Sequence, residues 1–467
     1  MFARDFAWQT LEHVYGNSIS HHFARYALQV SYERLPAAVA HQAKRCLLDA
    51  LGCCIGAFDA PGRPICEAAV KELGGVGEAT VFGSGFRTNA VNAALVNSFL
   101  VRFLDYNDVG GGGHNSDSIP AILAVAEREG ASGKDCLTSI VVSYELGERV
   151  TESVIGPSFG ERGWTFDVRG GLNMPPALGR LMGLNEDQIA SAMGITASHS
   201  FPMGIVDAHR EENTMAKNLR FGFVACDAIL ACIMAKKGFT GPARVIEGDS
   251  GIRQVLLKGE MDVEHLLELD GWRILDTRHK YLAANANSHG HIYATLAIVK
   301  ENDLKPEDIA GIHIRAGRRE ARHTTFLPKK YPRNAENGDH SAYYGNAYAV
   351  KYRNFGPDSS RPEHFTDPVI LDLISRMTVE ADPAMPEQGY AGASEIITKD
   401  GRRFQKRVDI PHGFGEDQLT DAELEAKFRE MADRHMSQEQ VKQIFDAVWG
   451  LEGAGDIRKL TGLMTVK

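Results

Sequence analysis

The sequence contains no run of about 18 uninterrupted apolar residues, the length a membrane-spanning helix needs. Even Cys46 to Phe58 is broken by Asp49, so an integral membrane protein is not expected. Positive charge is also in deficit. There are 51 Lys and Arg against 61 Asp and Glu, a net charge of −10. Binding to a phosphate backbone needs a basic surface, so nucleic acid is not the expected partner. The seven cysteines (46, 53, 54, 66, 136, 226, 232) include no C-x-x-C pair and lack iron–sulfur ligand spacing, which leaves buried free thiols as their reading. No exact repeat and no low-complexity linker occurs. The opening residues, Met1 to Trp8, carry Arg4 and Asp5 where a secretory signal would need an apolar core, and a cytoplasmic location is expected.

What is present is an ordinary globular composition, 43% hydrophobic and 24% charged over 467 residues. A single core stops growing near about 250 to 300 residues, so two domains are expected. After Pro36, Val39, Ala43, Cys46, Leu47, Ala50, Leu51, Cys54 and Ile55 recur at spacings of three and four, a buried helical stripe with Pro in its first turn and a stop at Gly56. Similar stripes predict helices over Asn89 to Phe103, Ile119 to Arg128, Lys134 to Val150, Glu186 to Ser198 and Phe221 to Lys237. Beyond Gly271 alternation takes over, predicting strands at Ile312 to Ala316, Met377 to Ala381, Ser394 to Thr398 and Arg403 to Ile410. Helical segments are expected around Ile292 to Asn302 and Pro368 to Ser375. Helices return over Asp421 to Arg434 and Ser437 to Trp449, with Asp421 and Ser437 as cap candidates. The fold class expected is a mainly α large domain, a helical bundle built from residues 1–270 and 412–467. A smaller α+β lid domain, 271–411, is inserted between them.

Four stretches could carry chemistry. In the first, Asp105 and Asp108 precede four glycines, and His114, Ser116 and Asp117 follow them. Four ordered glycines free backbone N–H groups for a ligand, and an imidazole beside carboxylates suits a general base. A plain surface loop, or a metal site of Asp and His ligands, are the other readings. In the second, Lys217 and Arg220 stand one turn apart at the start of an apolar helix. Cations sit poorly there by the helix dipole, and a bound anion would relieve the conflict; a solvated lysine is the plain alternative. The third, Arg278 to His291, holds Lys280 at the domain crossing. The fourth runs from Pro332 to Tyr344 and contains Arg333, His340, Ser341 and Tyr344. It follows the basic cluster Arg315, Arg318, Arg319, Arg322, Lys329 and Lys330. That cluster reads either as a solvated face or as the wall of a polycarboxylate site.

Together these stretches resemble the MmgE/PrpD family, which includes 2-methylcitrate dehydratase, cis-aconitate decarboxylase and iminodisuccinate epimerase. Leu47-Leu-Asp-Ala-Leu-Gly52 is similar to the family's early helix. Leu104-Asp-Tyr-Asn-Asp108 with His114-Asn-Ser-Asp117 resembles its Asp and His active-site segment, nearest the methylcitrate dehydratase branch. Lys217 and Lys280 fall where the family has substrate-binding lysines, and Asp339-His-Ser-Ala-Tyr-Tyr344 where it has its His-Ser segment. The resemblance implies a homodimer, a small di- or tricarboxylate as partner, and no metal or organic cofactor. The sequence departs from the family at Asn115 and Ser118, in Trp164 to Arg169, which lacks a pocket histidine, and at Tyr281-Leu-Ala-Ala284.

The chemistry so implied is proton abstraction next to a carboxylate, which requires positive charge around that carboxylate and a base within reach. Lys217 and Lys280 are expected to clamp carboxylates. His114, oriented by Asp105 or Asp117, moves the proton, and His340 with Tyr344 serves a departing hydroxide. Asp108, Ser116, Asp117, Arg220, Arg333 and Ser341 are the expected substrate-binding residues. Dehydration of a hydroxy-polycarboxylate such as 2-methylcitrate is the first expectation. Decarboxylation or epimerisation through the same carbanion, and a non-catalytic polycarboxylate-binding protein, are the alternatives.

Overall fold

A computed structural model describes residues 17–466 except 112, 209, 325, 387 and 388; the reading of the first eight residues lies outside them. The apolar stripes are helices, at Ala37–Gly56, Ala90–Phe103, Ile119–Glu129, Gly133–Glu152, Glu186–Ala197 and Arg220–Lys236. Local chemistry sets their starts. Asn89 accepts from the amide of Asn92, while Ser132 with Asp135, and Asn185 with Gln188, form capping boxes, each satisfying N–H groups that a first turn leaves unpaired. Pro36 lies one residue earlier than expected, as the cap before Ala37.

Three further helices, Ile19–Gln29, Gly62–Leu73 and Gly170–Leu181, lie between the stripes. The last contains Pro175 and Pro176, residues that normally end a helix. It persists because it is buried against Gly133–Glu152, Glu186–Ala197 and Arg220–Lys236, packing that outweighs local propensity. Gly171 permits the approach, since a Cβ there would lie 3.0 Å from the Ala197 Cα.

Short strands β1 (Ala79–Thr80) and β2 (Arg87–Thr88) pair with each other. The main sheet has the order β4-β3-β5-β6, with β3 at Ile309–Ala316, β4 at Met377–Ala381, β5 at Gly392–Thr398 and β6 at Arg403–Val408. β5 and β6 form a hairpin. β3 and β4 run parallel, so a long crossover must join them. That crossover, residues 317–376, carries the basic cluster apart from Arg315, which lies on β3, and the segment from Pro332 to Tyr344.

After the sheet, helices Asp421–Ala432 and Gln438–Trp449 follow. The first is capped by Thr420, in a box with Glu423, and not by Asp421, which pairs with Arg45 and His41. Ser437 caps the second. Asp421–Ala432 lies on Ala37–Gly56, where Gly52 and Gly56 make room for Phe428 and Met431. Across this contact the fully buried Lys427 donates to Asp49 Oδ1 at 2.6 Å and to the Tyr106 carbonyl at 2.7 Å, with its ammonium 4.0 Å from the Tyr106 ring centre. Among the described residues no helix is long and apolar enough to cross a membrane.

Removing one partner of a buried ion pair leaves the other charge uncompensated. Lys427→Ala is therefore expected to cost about 3–5 kcal/mol, read from urea denaturation. A loss below about 1 kcal/mol would show that the pair does not join the two parts of the chain.

Candidate active site

Helix Ala90–Phe103 ends beside Asp105, whose φ of 46° is left-handed, a conformation Asp tolerates better than most residues. The turn brings the Asp105 carboxylate back to Arg102, Nη1 to Oδ1 at 2.9 Å. Just beyond it, the amides of Val109 and Arg278 each donate to the other's carbonyl at 2.9 Å. This pairing holds Lys280 against the same turn. Its ammonium donates to Asp105 Oδ1 at 2.5 Å and to the Asp105 carbonyl at 2.7 Å.

Lys217 arrives from the other side, on the short turn Met215–Asn218. Asn213 and Asn337 exchange hydrogen bonds at 3.1 Å, and Asn218 donates to Glu336 at 3.0 Å. These contacts stitch that turn to helix Ala335–Gly338, which delivers Asp339 and His340. The Lys217 ammonium donates to Asp339 Oδ2 at 2.5 Å and lies 3.7 Å from Asp105 Oδ2. His340 Nδ1 is 2.6 Å from Asp339 Oδ1 and 3.4 Å from Asp105 Oδ2, and Asn285 donates to its Nε2 at 2.9 Å.

The charge environment follows from burial. Desolvation pushes the Asp105 carboxyl up, but Lys280, Arg102, Lys217 and His340 together outweigh it and hold it well below the usual carboxylate range. Burial, with Arg102 opposing the effect of Asp105, lowers the Lys280 ammonium. His114 is pushed well below the ordinary imidazole value, first by burial and then by Arg102 and Lys280, so it is neutral. Its Nδ1 is 2.6 Å from the Asp108 carbonyl. A carbonyl can only accept, so Nδ1 carries the hydrogen and Nε2 keeps its lone pair. Nε2 is 3.5 Å from Asp105 Oδ1. His114 and Asp207, which pairs with Arg220, are partly accessible, with side chains 11% and 27% exposed.

Asp105, His114, Lys217, Lys280 and His340 thus come together. Tyr344 does not join them: its hydroxyl donates to the Ser359 carbonyl at 2.6 Å, among Tyr348, Phe355 and Phe365. Arg333 is exposed and bound to Glu212, and Ser341 caps helix Ala342–Tyr352. Asp108 turns inward, accepting from Ser116 at 2.5 Å and Tyr144 at 2.6 Å, and burial raises it to about 6. Asp117 accepts from Asn107 and lies 4.0 Å from Arg102; it does not orient His114.

The anion that relieves Arg220 is part of the chain. Its guanidinium is 2.5 Å from Asp167 and 2.6 Å from Asp207. Asp167 lies within the segment without a histidine, Trp164 to Arg169. The glycine loop is also committed: Gly111 donates to Glu148 and Gly110 to the Gly113 carbonyl. A Cβ on Gly110 would lie 2.2 Å from Glu148 Oε1, so glycine serves close packing there. Gly112 lies outside the described residues.

Among the described residues one set of potential metal donors converges, Asp105, Asp339 and His340. The Lys217 ammonium already lies among all three, 3.2 Å from His340 Nδ1, so a metal ion would have to displace it. Residues that pattern reading passed over are Arg102, Asp167, Asp207, Asn285 and Asp339. Arg102 left a trace as a charge in an apolar helical stripe, and Asp339 as the first residue of the His-Ser segment.

Comparison with known proteins identifies the family of the chain. The MmgE/PrpD N-terminal domain matches residues 21–264 and the MmgE/PrpD C-terminal domain residues 282–451. The chain is 24% identical to a cis-aconitate decarboxylase-like protein of Aspergillus oryzae, over 92% of this chain and 94% of that one. It is 23% identical to cis-aconitate decarboxylase of Aspergillus terreus, over 96% of each. With 2-methylcitrate dehydratase of Cupriavidus necator the identity is 23% over 76% of each.

Burial pushes the Asp117 carboxyl up to about 7, Asp167 adding to the effect and Arg102 opposing it. A raised carboxyl favours the fold while protonated, so its contribution is complete below about pH 4 and is lost as the pH rises through 7. Asp117→Asn removes the ionisation. Its stability relative to the parent should climb between pH 4 and 7.5, by up to about 1.4 kcal/mol per pH unit, in urea titrations. A difference independent of pH contradicts this.

Proposed function

The chain belongs to the MmgE/PrpD family, and from that premise we propose that it is a lyase removing water from a small hydroxy-polycarboxylate such as 2-methylcitrate. One observation carries the reading: a neutral His114 with a bare Nε2 faces the same buried carboxylate that gathers Lys280, Lys217 and Arg102. A carbanion next to a carboxylate needs such a base together with such a concentration of positive charge.

In this mechanism the substrate's carboxylates bind at the ammoniums of Lys217 and Lys280 and at Arg102, with Asp105 holding the three cations in position. His114 Nε2 takes the proton from the carbon next to the carboxylate. The electron pair left on carbon forms the carbon–carbon double bond as the C–O bond breaks. His340, at Asp339 and Asn285, hands a proton to the departing hydroxide, which leaves as water. Tyr344 has no part, since its hydroxyl is engaged at Ser359.

A second reading is decarboxylation through the same carbanion. It is favoured by the more complete match to proteins named for cis-aconitate decarboxylation, 92–96% of this chain against 76% for the dehydratase of Cupriavidus necator. In that case the C–C bond to the leaving carboxylate breaks and carbon receives the proton.

Proton NMR in deuterium oxide with 2-methylcitrate, citrate and cis-aconitate separates them. Loss of water with the hydroxy acids supports the dehydratase, and carbon dioxide from cis-aconitate the decarboxylase. His114→Ala should slow either reaction by about 10²–10⁴-fold with a much smaller change in KM. No exchange and no product with any of these acids overturns the proposal.

A further inference from the structure

Every cation described so far in the site already has a carboxylate of the chain. Lys280 and Lys217 each have one at 2.5 Å, Arg102 at 2.9 Å and Arg220 at 2.5 Å. Lys329 differs. It is 1% exposed and, among the described residues, its side chain makes no hydrogen bond and no ion pair. Of the six residues in the basic cluster it alone is buried. Its neighbour Lys330 lies against the rings of Tyr331 and Tyr343.

Lys329 sits on helix Leu327–Lys330, which packs against Ala335–Gly338, the helix that delivers Asp339 to Lys217. The charges that act on it are those of the site. After burial, Lys217 has the largest effect, pushing the ammonium down to about 8, while Asp207, Asp339 and Glu320 oppose it. Asp207 and Asp339 are bonded to Arg220 and Lys217, and Glu320 accepts from Ser288. None of the three is bonded to Lys329. A buried ammonium without a counter-ion is costly, and an anion that reaches it removes that cost.

We propose that Lys329 is a substrate-binding residue that takes a carboxylate additional to those held at Lys217, Lys280 and Arg102, which makes this a tricarboxylate site in preference to a dicarboxylate one. The inference rests on the reading of the site as one for polycarboxylates. It adds a specificity role for the crossover. Because its ammonium has no internal partner to lose, Lys329 can bind an anion without breaking a bond of the protein.

The test is calorimetric titration of the whole protein with tricarballylate and with glutarate, which is the same chain without the central carboxylate. Neither acid has a hydroxyl to lose, so binding is read apart from turnover. Lys329→Met is expected to weaken tricarballylate at least about tenfold while glutarate changes by less than about twofold. Lys329→Arg should restore most of the tricarballylate affinity. Equal losses for both acids, no loss for either, or a parent protein that does not prefer tricarballylate overturns the proposal. If Lys329→Met does not fold, Lys329→Gln and Lys329→Arg decide it by the same comparison. The exchange experiment on the parent protein reports separately on the reaction. Exchange with an unaffected Lys329→Met keeps the lyase and removes Lys329, whereas weakened tricarballylate binding without exchange keeps Lys329 and removes the lyase.

Discussion

Asp105 holds three buried cations, Arg102, Lys217 and Lys280, within 2.5 to 3.7 Å of one carboxylate. Each cation comes from a different segment: the end of a helix, a short turn more than a hundred residues later, and the irregular stretch before the sheet. Without the shared anion they would repel one another in a medium of low dielectric constant. Their convergence requires the left-handed turn at Asp105, the Val109–Arg278 pairing and the asparagine contacts between residues 213–218 and 334–337. The site is therefore a product of the whole chain's path and cannot be assigned to one segment.

The same balance governs protonation. A chain with a net charge of −10 nevertheless builds a region where burial first, and then the cations Arg102 and Lys280, keep His114 neutral. Neutrality combined with a hydrogen bond from Nδ1 leaves one nitrogen free to act as a base. The protein carboxylates do two different jobs. Asp105, Asp207 and Asp339 face the cations directly. Asp108 and Asp117 lie behind them in the loop, where burial raises both and where hydrogen bonds with Ser116, Tyr144 and Asn107 shape the backbone.

The resemblance to a lyase family was legible because its residues come in short runs, Asp105 to Asp108, His114 to Asp117 and Asp339 to Tyr344. Within a run, however, residue type does not say which side chain faces the site. Tyr344 lies one helical turn beyond His340 and faces an aromatic cluster instead, while Ser341 is consumed as a helix cap. Of the glycines read as a ligand cradle, Gly110, Gly111 and Gly113 are glycines because Glu148 and Arg169 pack against them. Asp207 could not be found at all, since it ends the single 3-10 turn Gly204–Asp207, too short to show a periodicity, and acts through its pairing with Arg220.

By itself the sequence determined where the apolar-striped helices, the two C-terminal helices and the strands of the main sheet form. Apolar spacings of three and four residues, alternation in the strands, and caps such as Asn89, Ser132 and Ser437 are local, and each can be satisfied within one turn or one strand of chain. The tertiary structure decided which charges meet. Lys427 finds Asp49, Lys280 finds Asp105, Arg220 finds Asp167 and Asp207, and Lys329 finds none, because a charge pair depends on separation in space, which spacing along the chain does not constrain. The tertiary structure also kept Gly170–Leu181 helical through two prolines, since burial on several sides outweighs the hydrogen bonds that proline cannot donate.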